Sequence, residues 1–208
     1  MQDSNQSNKQ EETKNKSSVS TVASAKKKEP FTKSLLDQIE IIVIFFAIIV
    51  LIFSFMCKTC TVDGDSMVDT LHNKETVMIW SLFYQPDYED IVVIHDNDAL
   101  KKPIVKRVIG LPGDTVYIEH YNDSMKIEIT HADGSKETLK EDYAHYDGLP
   151  LYYPAAQTYT VGNGEVFVIG DNRFDSLDSR ILGCYDSKQI LGKVIFRISP
   201  INKVGTVK

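Results

Sequence analysis

Ser66, in TVDGDSMVDTL, and Lys106, in PIVKRVIGLPGD, are the residues of this sequence best suited to chemistry. A serine hydroxyl is a weak nucleophile until a neighbouring base takes its proton. Histidine with a carboxylate is the common base, and His72 lies six residues after Ser66. No segment supplies a matching Asp–His pair, however, and a lone histidine close to a serine is frequent by chance. Lys106 is the better candidate. It lies in an apolar run with Val105, Arg107, Val108 and Ile109, where strand side chains alternate between faces. Lys106 can therefore face inward while Arg107 points the other way. At its ordinary pKa of about 10.4 a lysine is protonated and useless as a base. Burial among apolar neighbours disfavours the ammonium and leaves a neutral amine near working pH. A third segment, GDNRFDSLDSR from Gly170 to Arg180, is dense in polar groups yet follows the apolar run EVFVI.

Strands must position these groups. ETVMIW, DIVVI, PIVKRVIG, DTVYIEH, KIEIT, EVFVIG and KVIFRIS are short β-branched or aromatic runs separated by Gly, Pro, Asn and Asp. That rhythm predicts an all-β barrel or folded sandwich. The expected fold class is mainly β: one N-terminal transmembrane helix, then an all-β catalytic domain made of residues 59–116 and 162–208. Residues 117–161, rich in Tyr and turn signals such as HADGSK, read as a small inserted β subdomain, with a hairpin formed by SMKIEIT and KETLKED. This insertion is expected to be a structural elaboration. After the apolar span, helical patterning is expected only near Asp186 to Ile190.

From Ile41 to Cys57 no residue is charged, and Ile39 extends the apolar face past Glu40. At helical rise that run covers roughly 25–28 Å, close to the thickness of a bilayer core. It is hydrophobic on all sides, and the sequence offers no second helix of similar character to bury it, so residues 34–58 are expected to form a membrane anchor. A cleavable signal peptide fits less well, because the stretch before the span is long and no small-x-small site follows it. Ala23-Ser24-Ala25 has that spacing but precedes the span, and Met56 stands before Cys57 where a lipoprotein needs a small residue. Lys26, Lys27, Lys28 and Lys33 flank the amino-terminal side against Lys58 on the other. The positive-inside rule then puts the N-terminus in the cytoplasm and the β domain outside. Residues 1–33, mostly polar and charged, are expected to be a disordered cytoplasmic tail.

Charge and cysteines exclude other classes. Residues 1–33 hold seven lysines against four acidic residues, a net of +3, leaving −9 for the rest of a chain whose formal net charge is −6. A net-acidic domain argues against a nucleic-acid partner. Cys57 and Cys60 have C-x-x-C spacing without a thioredoxin-like context; a Cys60–Cys184 disulfide stays open. The histidines are scattered, so no metal and no cofactor are expected.

GDSM close to a membrane span, VKRVIGLPGD and GDNRFDSLDSR, in that order, resemble the bacterial type I signal peptidases with a Ser–Lys dyad (peptidase family S26). The resemblance runs from the span to about Gly183. It implies Ser66 as nucleophile and Lys106 as general base. It implies Ser176 as the residue orienting the lysine amine, and Asp178 with Arg107 and Arg180 as a charged support, while Asp171, Asn172 and Arg173 shape the turn presenting Ser176. Met67, Leu71, Ile104 and Val105 would line a shallow pocket for small side chains. The implied reaction is cleavage of signal peptides after small-x-small sites through an acyl-enzyme. The implied partners are exported precursor proteins, the lipid bilayer and a nearby secretion translocon, at the cell membrane.

Two departures stand out. The family commonly has proline where this chain has Asp69, which is expected to compensate by a local side-chain bond to the backbone. Gly162 replaces another frequent proline. Gly64 stands where some members place a hydroxyl for the oxyanion, so the Ser66 N–H is the first donor and the second stays open. Two alternatives remain: a self-cleaving repressor-type Ser–Lys protease, against which the span and acidic domain argue, and an inactive membrane-tethered scaffold relative.

Overall fold

The computed structural model describes residues 31–95, 102–121, 124–146 and 155–207. The tail expected over residues 1–33 lies outside them as far as residue 30, and residues 31–33 already belong to a helix.

That helix, α1 (Phe31–Met56), contains no Gly or Pro, and its only charged residues stand in its first half. Leu35–Ser54 is long and apolar enough to cross a membrane, with none of it buried. The helix ends two residues short of the anchor expected over 34–58, because Cys57 and Lys58 open strand β1 (Cys57–Thr61) and pair with Trp80 and Ile79.

The remaining strands are β2 (Thr76–Trp80), β3 (Ile91–His95), β4 (Pro103–Gly110), β5 (Thr115–His120), β6 (Met125–Thr130) and β7 (Lys136–Thr138). They continue with β8 (Ala156–Thr160), β9 (Glu165–Ile169), β10 (Tyr185–Asp186), β11 (Ile190–Ser199) and β12 (Gly205–Thr206). The larger sheet runs β1-β2-β11-β3-β4-β9-β10, with β12 on β11. The smaller runs β7-β6-β5-β8, and its β6–β7 hairpin pairs Glu128 with Thr138 and Thr130 with Lys136. The mainly β class is as the sequence patterning indicates.

β4 is the strand on which the site is built. It pairs with β3 from Pro103 to Arg107, Val92 facing Lys106, whereas among the described residues β9 joins it only from Arg107 onward. Both of its faces are buried, which a solvent-facing sheet would not require. Val105 packs with Val62, Met67, Leu71 and Val93 in one core, and Ile109 joins the core beneath the smaller sheet. Ile104 and Val108 face the third core, with Val92, Ile94 and Val168. Period two therefore sets Lys106 between Ile104 and Val108, and Arg107 between Val105 and Ile109. In the smaller sheet Val116, Ile118, Ile127 and Ile129 alternate inward onto Phe167 and Ile169.

The expected helical stretch near Asp186 is a single 3-10 turn, Ser187–Gln189, closed by a capping box between Asp186 and Gln189. A further helix, α2 (Ser179–Leu182), is only four residues long, too short for periodicity to reveal; Asp178 caps it. Cys57, Cys60 and Cys184 are free thiols.

Candidate active site

After β1 the chain turns at Gly64, whose φ of 108° suits a residue without a side chain. The loop that follows folds back on itself: Val68 N–H donates to the Asp65 carbonyl (3.2 Å) and Leu71 N–H to the Met67 carbonyl (2.7 Å). Met67 and Leu71 are fully buried and anchor the loop in the core. The segment after β9 holds its other side. Asn172 N–H donates to the Ser66 carbonyl (3.0 Å), Asn172 Nδ2 to the Asp65 carbonyl (3.2 Å), and the Thr70 hydroxyl to Asp171 Oδ2 (2.5 Å).

This places the Ser66 hydroxyl against β4. Lys106 Nζ donates to Ser66 Oγ at 2.6 Å, and Lys106 is only 3% exposed. Burial lowers the pKa of the amine from 10.5 to about 8. The Asp178 charge opposes that shift and Arg180 reinforces it, with Asp171 and Asp175 also opposing. In its neutral form the same amine can accept the hydroxyl proton across the same distance. His72 turns instead toward Glu75, its Nδ1 3.8 Å from Oε1.

Behind the pair lies a charged layer. Arg180 grips Asp178 with two bonds, Nε to Oδ1 (2.8 Å) and Nη2 to Oδ2 (2.7 Å), and Gly170 N–H adds a third at 3.0 Å. Burial alone would raise the Asp178 carboxyl, but the Arg180 charge and hydrogen bonds, with those of Ser176 and Gly170, hold it below the usual carboxylate range. Ser176 is buried and bonds this carboxylate. Its Oγ packs on Gly170 so closely that a Cβ there would collide with both Ser176 Oγ and the Ser66 carbonyl. Gly170 is thus the spacer through which the third segment approaches the Ser66 loop.

Two expectations need correction. Arg107 does not join Asp178. It makes a separate two-pronged pair with Asp171, Nε to Oδ1 at 2.8 Å and Nη2 to Oδ2 at 2.7 Å, because alternation turns it to the face of β4 opposite Lys106. The four pocket residues are not one cluster either. Met67, Leu71 and Val105 pack together, whereas Ile104 stands on the opposite face, the one shared with Lys106.

The site also has members that the sequence reading missed, contributed by residues 141–146 within the insertion, after β7. Glu141 pairs with Arg173 (2.6 Å), and Arg107 stacks over the Tyr143 ring with its guanidinium carbon 3.8 Å from the centroid. His145 forms an isolated bridge with Asn172, donating its N–H to the Asp171 carbonyl and accepting from Arg173 N–H, both at 2.8 Å. Asp69 does not bond local backbone; it reaches His145. No sequence-local signal marks these partners.

The site thus sets a serine hydroxyl against a buried amine of lowered pKa, both carried by the β domain. Residues 35–199 match the family Signal peptidase, peptidase S26, and the chain belongs to that family. It is 38% identical over 176 residues to signal peptidase I S of Bacillus subtilis (strain 168), covering 83% of this chain and 93% of that protein. It is 34% identical over 194 residues to signal peptidase I of Bacillus amyloliquefaciens, covering 89% of this chain and 99% of that one. A crystal structure of a signal peptidase I from Enterococcus faecalis V583 matches at 27% identity, over 53% of this chain and 97% of that chain, with a TM-score of 0.38.

Proposed function

We propose that this chain is a membrane-anchored serine endopeptidase that removes signal peptides from exported precursors after small-x-small sites, with Ser66 as nucleophile and Lys106 as general base. The observation that carries the reading is the 2.6 Å contact between Lys106 Nζ and Ser66 Oγ in a buried setting that lowers the amine pKa to about 8. Neutral Lys106 takes the hydroxyl proton as Ser66 Oγ attacks the scissile carbonyl. The oxyanion forms beside the Ser66 N–H. The lysine ammonium then gives its proton to the departing amine, leaving an ester on Ser66. Water, deprotonated by the same amine, attacks the ester and frees the serine. Asp178 and Arg180 hold the surroundings of the amine fixed, with Ser176 between them and the nucleophile loop.

Among the described residues no strand pairs with β4 opposite β3 before Arg107, which supports extended binding of a substrate peptide beside Pro103–Lys106. Ile104, which shares its face of β4 with Lys106, narrows the space beside the amine and favours small side chains at the cleavage site. The exposed apolar faces of α1 suit lipid, and the lysine asymmetry across it favours a cytoplasmic N-terminus with the β domain outside. The short chain from Cys57 to Ser66 would then keep the site close to the bilayer and to precursors leaving a translocon. The test is incubation of the detergent-solubilised chain with a precursor carrying an Ala-x-Ala site, followed by sequencing of the new N-terminus. Cleavage after the second Ala, lost when that Ala is replaced by Leu, is expected; cleavage indifferent to that replacement sinks the proposed specificity.

A further inference from the structure

The loop that presents Ser66 is tied to the segment after β9 at three points already described: the Asp65 and Ser66 carbonyls to Asn172, and the Thr70 hydroxyl to Asp171. A fourth tie lies between Ser66 and Thr70 in the chain. Asp69 Oδ2 stands 3.1 Å from His145 Nδ1, close enough for a hydrogen bond and, with the imidazole protonated, an ion pair. The two residues are 76 positions apart, so local chain geometry does not impose the contact.

His145 is itself pinned. Its N–H donates to the Asp171 carbonyl and its own carbonyl accepts from Arg173 N–H, both at 2.8 Å, so its backbone brackets Asn172. Asn172 is the residue that holds the Ser66 carbonyl. Asp69 and Ser66 are therefore fastened, through His145 and Asn172, to the same three-residue stretch 171–173. The result is a closed ring in which both ends of the nucleophile loop refer to one rigid support. That support is buttressed from beneath by the Arg107–Asp171 and Arg173–Glu141 pairs.

We propose that Asp69 and His145 are a positioning pair for the Ser66 loop, a polar tie that fixes the serine hydroxyl against Lys106. The inference rests on Ser66 being the nucleophile. Neither side chain meets the reacting atoms; both act through the loop. A small displacement of that loop changes the Ser66–Lys106 separation directly, and misplacement of about 1 Å is enough to cost catalysis heavily. Asp69 is well exposed and His145 partly so, at 75% and 22% side-chain exposure, which limits the strength of the tie. Partly exposed pairs of this kind are worth up to about 1 kcal/mol, or roughly fivefold in rate.

The test is a double-mutant cycle on the detergent-solubilised full chain with an Ala-x-Ala precursor. The variants are Asp69→Leu, His145→Ala and the two combined, each followed by kcat, KM and melting temperature. The expected result is a loss of about fivefold in kcat for each single variant, KM close to wild type, and about the same fivefold for the pair. Asp69→Asn, which keeps an acceptor for the imidazole N–H, is expected to recover most of the lost kcat. Losses that multiply to about 25-fold, that fall in KM, or that Asp69→Asn does not recover, would overturn the positioning role. Ser66→Ala, run alongside, separates this from the underlying reading: turnover that survives it refutes Ser66 as nucleophile, whatever the cycle shows.

Discussion

Lys106→Met should stabilise the protein at neutral pH while removing its activity. In the folded state burial lowers the amine pKa from 10.5 to about 8. Below pH 8 the lysine is charged in both folded and unfolded chains, and the fold bears the full cost of holding an ammonium out of water. That cost is about 3 kcal/mol, from the difference of the two pKa values at 1.36 kcal/mol per unit. Between pH 8 and 10.5 the unfolded chain binds more protons than the folded one, so stability of the wild type rises with pH and the cost disappears. Methionine fills a similar volume without charge. Its substitution forfeits the bond to Ser66 Oγ, about 1 kcal/mol, leaving a net gain of about 2 kcal/mol at pH 7. Denaturant unfolding of both proteins at several pH values measures the gap, and comparing the two isolates Lys106 from other titrating groups. The variant should be more stable at pH 7, and the difference should close and reverse slightly toward pH 10.5. A variant less stable at pH 7, or a gap indifferent to pH, refutes the claim that the amine is held against its solvation.

Four further outcomes follow from the same geometry. In wild type, kcat/KM should rise with pH through a midpoint near 8, with about one tenth of the plateau at pH 7, since only the neutral amine is a base; a limb falling over pH 6 to 9 speaks against an amine. Asp178→Asn removes a charge that raises the Lys106 pKa, so the acidic limb should move to lower pH. The same variant leaves Arg180 buried without its carboxylate and should lose about 3–5 kcal/mol of stability by denaturant unfolding. Gly170→Ala inserts a methyl against Ser176 Oγ and the Ser66 carbonyl; the backbone atom cannot rotate away, so kcat should fall about 100-fold. Wild-type turnover in that variant would show that Gly170 is not a spacer.

The pairing of Ser66 with Lys106 was read from three motifs in order and their resemblance to the signal peptidases; a lone lysine in an apolar strand would not have carried it. The split of Ile104 from Val105 was missed, although the period-two rule that turns Arg107 away from Lys106 also separates these neighbours. The partner of Arg107 was not legible. Asp171 and Asp178 lie seven residues apart in one acidic segment, and their spacing does not say which of the two Arg107 reaches. Glu141, Tyr143 and His145 were hidden for a related reason. Their contacts with Arg173, Arg107 and Asp69 join segments far apart in the chain, where neither periodicity nor composition carries information. The boundary between α1 and β1 eluded hydropathy because Cys57 is apolar enough to continue the helix, and its pairing with Trp80 settles the matter.

The most direct measurement is precursor turnover by the wild-type chain beside Ser66→Ala and Lys106→Ala, each verified as folded by its melting transition. The Ser66–Lys106 chemistry predicts cleavage by the wild type and loss of turnover by several orders of magnitude in both variants. Folded Ser66→Ala or Lys106→Ala protein that still cleaves at the wild-type site and rate contradicts it.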